Sequence, residues 1–235
     1  MSQSVNLTVE VSCSYCATVF STTLSACPNC GAPRTTKVPS AKLQPHTSAL
    51  GKIEVVSVFT ALALATNYAM IDIPNVKLMD ALVFIASFLF GLRVGLGSAV
   101  SIWIVYGFFN PYGQADPTTF VFVTLGECLY AVSGAVLSRA STARDILNNG
   151  HWLKRTGVFG LIGFQATFAY DVLTNFGSWL FRTSSLYQAF IIGMVTGAPF
   201  SVLHEASNLI FFATVVPLAL AASKRAGFTI HGRDS

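Results

Sequence analysis

The chain has 235 residues, 53% of them hydrophobic and only 10% charged, with a net charge of +4. A soluble domain carries about 25% charged residues, and the mean hydropathy here is +0.61. The composition excludes an ordinary water-soluble domain, and a balance this modest reports membrane topology rather than nucleic-acid binding.

Residues 1–31 read as a separate small unit. Cys13-x2-Cys16 and Cys27-Pro-Asn-Cys30-Gly31 are two C-x2-C knuckles, ten residues apart. Each aims two sulfurs at one point, and four thiolates complete the closed tetrahedral shell of a structural Zn²⁺. About thirty residues bury too little apolar surface for a core, so metal binding supplies the folding energy. A two-disulfide mini-domain would need an oxidising compartment and gains nothing from this spacing. The unit resembles the zinc-ribbon heads of many microbial membrane proteins. No apolar signal segment is apparent in the first fifty residues, and residues 32–51, with Pro33, Pro39 and Pro45, read as a flexible linker.

The apolar runs begin at Ile53. They predict an all-α integral membrane domain over 52–223, with six transmembrane helices at roughly 53–73, 76–92, 95–110, 119–138, 157–181 and 198–222. Pro199 is expected to part an outer segment at about 187–197 from the last crossing. The stretch from Pro74 to Gly113 forms a hairpin turning at 93–94, mostly frame, with Asn110 on its outer rim. Six spans put Arg34, Lys37, Lys42, Lys52, Arg93, Arg139, Arg144, Lys154, Arg155, Lys224, Arg225 and Arg233 on one side and only Lys77 and Arg182 on the other. The positive-inside rule then predicts a multi-pass plasma-membrane protein with both termini, including the 224–235 tail, in the cytoplasm.

Polar residues inside apolar spans carry the functional signal, because burying a charge at mid-depth costs roughly 2–4 kcal/mol. Glu127 and Tyr130 share a face of the fourth span; Tyr170, Asp171 and Asn175 cluster in the fifth; His204, Glu205 and Asn208 lie in the last. Converging carboxylates, amides and aromatic rings describe a cavity for a small polar molecule, with interhelical pairing of Asp171, His204 and Glu205 as the other reading. The acids suggest a ligand with hydrogen-bond donors and the aromatics a ring to stack. On the first span Ala61, Ala65 and Ala69 recur every four residues, a flat stripe for close helix packing inside the protein or docking of another subunit. No HExxH, GxSG or EExxxR catalytic motif and no GxxxxGK[ST] phosphate loop is present, so an enzyme or a self-powered ATPase is not expected.

Pro74-Asn-Val-Lys-Leu78, Phe90-Gly-Leu-Arg-Val-Gly95, Asn110-Pro-Tyr-Gly113, Tyr170-Asp-Val-Leu-Thr-Asn175 and the His204-bearing last span resemble the substrate-binding S components of energy-coupling factor (ECF) transporters, over about 53–222. The resemblance implies a six-helix protein that captures a vitamin or related micronutrient from outside. It would hand the ligand to a transmembrane T component with two ATPase subunits by toppling in the bilayer. Ala61, Ala65 and Ala69 match the alanine motif that contacts the T component. The ligand contacts expected are Asn110, Glu127, Tyr130, Tyr170, Asp171, Asn175, His204 and Asn208. The zinc head lies outside the usual S-component pattern. A zinc-headed scaffold or sensor and an intramembrane hydrolase are the alternatives.

Overall fold

Two C-x2-C turns meet only if a scaffold folds the chain back on itself, and a short hairpin does so in the computed structural model. The structure describes residues 10–13, 15–16, 18–21, 23–33, 49–140 and 151–226. Most of the expected linker (34–48), the 141–150 part of the loop between the fourth and fifth spans, and the 227–235 tail lie outside the described residues. The chain divides into two units, Met1–His46 and Thr47–Ser235.

In the first unit, β1 (Glu10–Ser12) pairs antiparallel with β2 (Val19–Ser21), placing Val11 opposite Phe20. The Cys13 N–H donates to the Thr18 carbonyl at 2.9 Å, closing the first knuckle. The second closes through Gly31 N–H to the Cys27 carbonyl, also 2.9 Å, with Gly31 at φ +72°, a left-handed backbone that suits glycine. A bridge between Ala26 and Pro33 carries the ordered unit two residues past its expected boundary. Among the described residues its core is Cys13, Phe20 and Cys27 with a few flanking side chains.

The second unit is helical: α1 (Ala49–Ala69), α2 (Met79–Phe90), α3 (Leu92–Phe108), α4 (Pro117–Arg139), α5 (Trp152–Trp179) and α6 (Leu186–Arg225). Three of these, α4, α5 and α6, are long and apolar enough to cross a membrane. That is half the six crossings expected; for two of the other three the reason is length, while α1, at 21 residues, is long enough but carries Lys52, Glu54 and Asn67 among its apolar residues. The 12 residues of α2 and 17 of α3 extend about 18 and 25 Å at 1.5 Å per residue, against a hydrocarbon core of about 30 Å. The hairpin turns at Gly91, earlier than expected, with φ +92°, and Arg93 lies in the first turn of α3.

The expected break at Pro199 is absent. Helix α6 runs 40 residues through both Pro199 and Pro217. Each proline forfeits one backbone N–H bond and the helix continues on the others. Close packing against α5 supports it there: a Cβ on Gly193 would lie 2.4 Å from the Asn175 carbonyl, and one on Gly197 2.3 Å from the Asn175 side chain.

Helix α2 is the axis of this unit. Every residue from Met79 to Leu89 is buried, and α1, α3, α4 and α6 all pack against it. A short helix that is apolar all round can only be a core helix. Phe84 meets Phe212 and Phe159 edge to face at 5.1 and 6.2 Å. Gly134 of α4 lets the two backbones touch, since a Cβ there would fall 2.4 Å from the Phe84 carbonyl. By contrast Ile104, Leu125, Val136, Phe168 and Ile210 are 50–61% exposed, large apolar side chains left on the outside of the helices.

At the start of α4, Asp116 caps the helix. Its carboxylate accepts the Thr118 and Thr119 N–H groups at 3.1 Å and the Thr119 hydroxyl at 2.6 Å, and pairs with Arg182 at 2.9 Å. The Thr119 hydroxyl, more than Arg182, holds this carboxyl below its ordinary value of 3.8. A depressed carboxylate stabilises the fold above the unfolded value and loses that contribution as pH falls through the folded one. Asp116→Ala is therefore expected to cost about 1 kcal/mol at neutral pH and progressively less below pH 3.8. Gly134→Ala should cost more than Gly157→Ala, whose Cβ meets nothing within 4 Å. Thermal unfolding of the purified protein in detergent measures all three.

Candidate functional site

The four cysteines come together as their spacing predicts. Their sulfurs all lie within 4.8 Å of one another, with Cys13 to Cys30 at 3.7 Å and Cys16 to Cys27 at 3.6 Å. A disulfide needs about 2.05 Å, whereas a tetrahedral ion with metal–sulfur bonds of about 2.3 Å sets its ligands near 3.8 Å apart. The cluster thus fits a structural metal with four thiolates and no open position. The crowded thiols titrate apart: bonds from the Thr18 hydroxyl and backbone draw Cys16 down to about 6, while, against a backbone bond from Ala32, the neighbouring thiols push Cys30 up to about 12.

Inside the helical unit, His204 of α6 is the centre of a buried polar network. Its Nδ1 lies 2.9 Å from Asp171 Oδ1 of α5 and its Nε2 2.7 Å from Asp80 Oδ2 of α2. An imidazole donates from both nitrogens only as the cation. One turn on, the Asn208 amide lies 2.7 Å from Asp80 Oδ2, 2.8 Å from Thr167 Oγ1 and 3.2 Å from the Tyr130 hydroxyl. Tyr130 donates to Thr167 at 3.0 Å, and Thr167 donates to the Gly163 carbonyl at 2.8 Å. The Tyr170 ring meets His204 edge-on at 5.3 Å. Four helices, α2, α4, α5 and α6, are tied at one place.

Of the residues expected at a binding site, Tyr130, Tyr170, Asp171, His204 and Asn208 therefore converge. Glu127 is fully buried one turn before Tyr130 and accepts the Trp103 indole N–H at 3.3 Å. Asn175 stands apart on the α5–α6 seam, donating to the Ser201 hydroxyl at 3.0 Å. Glu205 is half-buried and outside the network. Asp80 is a correction: the hairpin read as mostly frame, yet its one acid is 1% exposed and holds both His204 and Asn208. Its signal was a single carboxylate within twelve otherwise apolar or small residues. One acceptor on each of Asp80, Glu127, Asp171 and Asn208 has no hydrogen-bond partner, so acceptors outnumber donors here.

A cavity of about 380 Å³ opens on the other side of Trp103. The segment between α1 and α2 covers it, the Trp103 and Tyr106 side chains of α3 form a wall, and Asn110, Tyr112 and Phe200 close the rim. The cover is tied at two points. Asn75, at φ +57°, donates from its amide to the Phe200 carbonyl at 3.3 Å, and the Tyr112 hydroxyl donates to the Ile71 carbonyl. Lys77 lies over the Trp103 ring, 5.6 Å from its centroid. Asn110 is the one expected contact found here; its Oδ1 accepts the Tyr112 N–H at 2.9 Å. Lys77, Trp103, Tyr106 and Asn67 were missed because each lies in or beside the hairpin read as frame.

Replacing one thiolate should release the metal and unfold only the first unit. Cys27→Ser is expected to lose bound metal in elemental analysis of the purified protein while the unfolding midpoint of the helical unit stays within error of the parent.

No protein-family model, curated protein or solved structure matches the chain.

Proposed function

We propose that the helical unit is a membrane-embedded binding subunit, of the ECF S-component kind, that captures a small micronutrient and passes it to an ATP-driven partner module. The observation that carries this reading is the cavity: a ligand-sized space lined along residues 70–77, part of an irregular segment tied by Asn75 and Tyr112 and packed on the helical core through Ile71 and Leu78. An irregular segment between helices is the kind of element that moves to admit a ligand.

Two further features support it. The stripe of Ala61, Ala65 and Ala69 is exposed along α1, while Ala63 and Asn67 on the opposite side are buried. Internal packing does not use the stripe, so it is free for close approach by a partner helix. The exposed apolar side chains of α3 to α6 suit lipid contact. In this reading α1 to α3 join the three long helices within the bilayer, the termini face the cytoplasm, and the cysteine unit carries Zn²⁺ there. The chain has no phosphate-loop motif of its own, so energy comes from two partner ATPases acting through a T component.

The polar network takes a supporting part in this scheme. His204 pairs with both Asp80 and Asp171, and the ligand contacts shift to Asn110 with Asn67, Lys77, Trp103 and Tyr106. Co-expression with a T component and its ATPases tests the docking face. Ala65→Leu is expected to reduce the recovered complex at least tenfold, and Val136→Leu on the outer surface of α4 to leave it unchanged. Full recovery with Ala65→Leu would contradict the reading.

A further inference from the structure

We propose that the cavity takes a flat one- or two-ring molecule bearing an anionic group, with the anion at Lys77 and the ring against Trp103 and Tyr106. This rests on the binding-subunit reading above and adds the chemistry of the ligand to it.

The first ground is charge. Among the described residues Lys77 is the only charged one lining the cavity, and no carboxylate lines it. Among the described residues no carboxylate oxygen comes within salt-bridge distance of its ammonium group; the contact it makes is with the Trp103 face. An ammonium resting on an indole is partly desolvated and poised to accept an anion. Glu127 and the Asp80–His204–Asp171 group lie among the helices and do not line the cavity. The carboxylates of Asp80, Glu127 and Asp171 act on Lys77 from among the helices without reaching salt-bridge distance or lining the cavity, which leaves Lys77 as the charge a ligand touches. This reverses the polarity suggested by the acids of the apolar spans, which are committed to the network.

The second ground is hydrogen bonding. Asn67 is 2% exposed, lines the cavity, and its amide nitrogen makes no well-formed hydrogen bond, having only a weak contact with the Tyr106 hydroxyl. A buried unpaired donor costs about 1–3 kcal/mol, and a ligand acceptor at this point removes that cost. The lining therefore offers donors, Lys77 and Asn67, to a molecule rich in acceptors.

The third ground is shape. Trp103 and Tyr106 are packed edge to face at 5.6 Å, 72° apart, a rigid aromatic corner that suits a planar ring. The volume of about 380 Å³ lies at the small end of ligand pockets, about 300–1,000 Å³. That volume suits a one- or two-ring heterocycle.

The test uses the full chain purified from membranes, with Lys77→Gln and Lys77→Arg beside it. Native mass spectrometry identifies any molecule that co-purifies, and tryptophan-fluorescence titration compares three probes of one shape: pyridine-3-carboxylate, the neutral pyridine-3-carboxamide and the cationic 3-aminomethylpyridine. The expected result is a planar anion in the parent protein, or preference for the carboxylate. Lys77→Gln should weaken that binding at least tenfold, with Lys77→Arg largely restoring it. A neutral or cationic molecule held equally by the parent and Lys77→Gln overturns this inference and leaves the binding-subunit reading standing. A parent protein that carries no molecule and binds none of the three probes overturns that reading and the inference with it.

Discussion

His204 is gripped from both sides, by Asp171 at 2.9 Å and Asp80 at 2.7 Å, and the helical unit depends on that grip. Charges this deeply buried are stable only when paired and hydrogen-bonded. Asp80 lies on the central helix, Asp171 on α5 and His204 on α6, so the pairing fixes the rotation and depth of three helices at once. A slip of α6 by one turn would bring neither carboxylate to a ring nitrogen. Apolar side chains fill space between helices but tolerate sliding, whereas this contact admits one register.

Given that register, the remaining parts fall into place. Asn208 follows His204 by one turn and carries the network to Tyr130 and Thr167. Trp103 faces two ways, donating its N–H to buried Glu127 while its ring meets Lys77 at the cavity. The cavity wall is thereby braced from behind by the same helices the network holds. A wall on regular helices beside an irregular segment is the division of labour that the proposed capture role would use: specificity on regular elements, access through an irregular one.

What could be read from the residues alone follows from how local each signal is. The cysteine cluster was legible because two C-x2-C turns and a glycine are determined within five residues each. The convergence of Tyr130, Asp171, His204 and Asn208 was legible because polar side chains are rare in apolar helices and i, i+3 and i, i+4 spacings give their faces. Asp80 was not, because an acid just after a Pro-Asn loop looks like a helix-start residue facing water; only the packing of four neighbours around α2 buries it. Lys77 and Asn67 were obscured in the same way at the edges of the covering segment. Pro199 misled because proline usually ends a helix, and nothing local reveals that Gly193 and Gly197 press α6 against α5. Gly91 rather than Arg93 makes the turn because the chain needs a positive φ there, which charge patterning does not register.

A polar network that frames the helices lies beside a cavity proposed to hold the ligand. The most direct test records thermal unfolding and native mass spectra on the same preparations of two variants. His204→Gln cannot donate to both carboxylates and is predicted to destabilise the unit by about 3–5 kcal/mol while its folded fraction still carries the ligand. Lys77→Gln is predicted to unfold with the parent and to have lost the ligand. The opposite pattern, a folded His204→Gln protein without ligand beside a Lys77→Gln protein that retains it, would contradict the account.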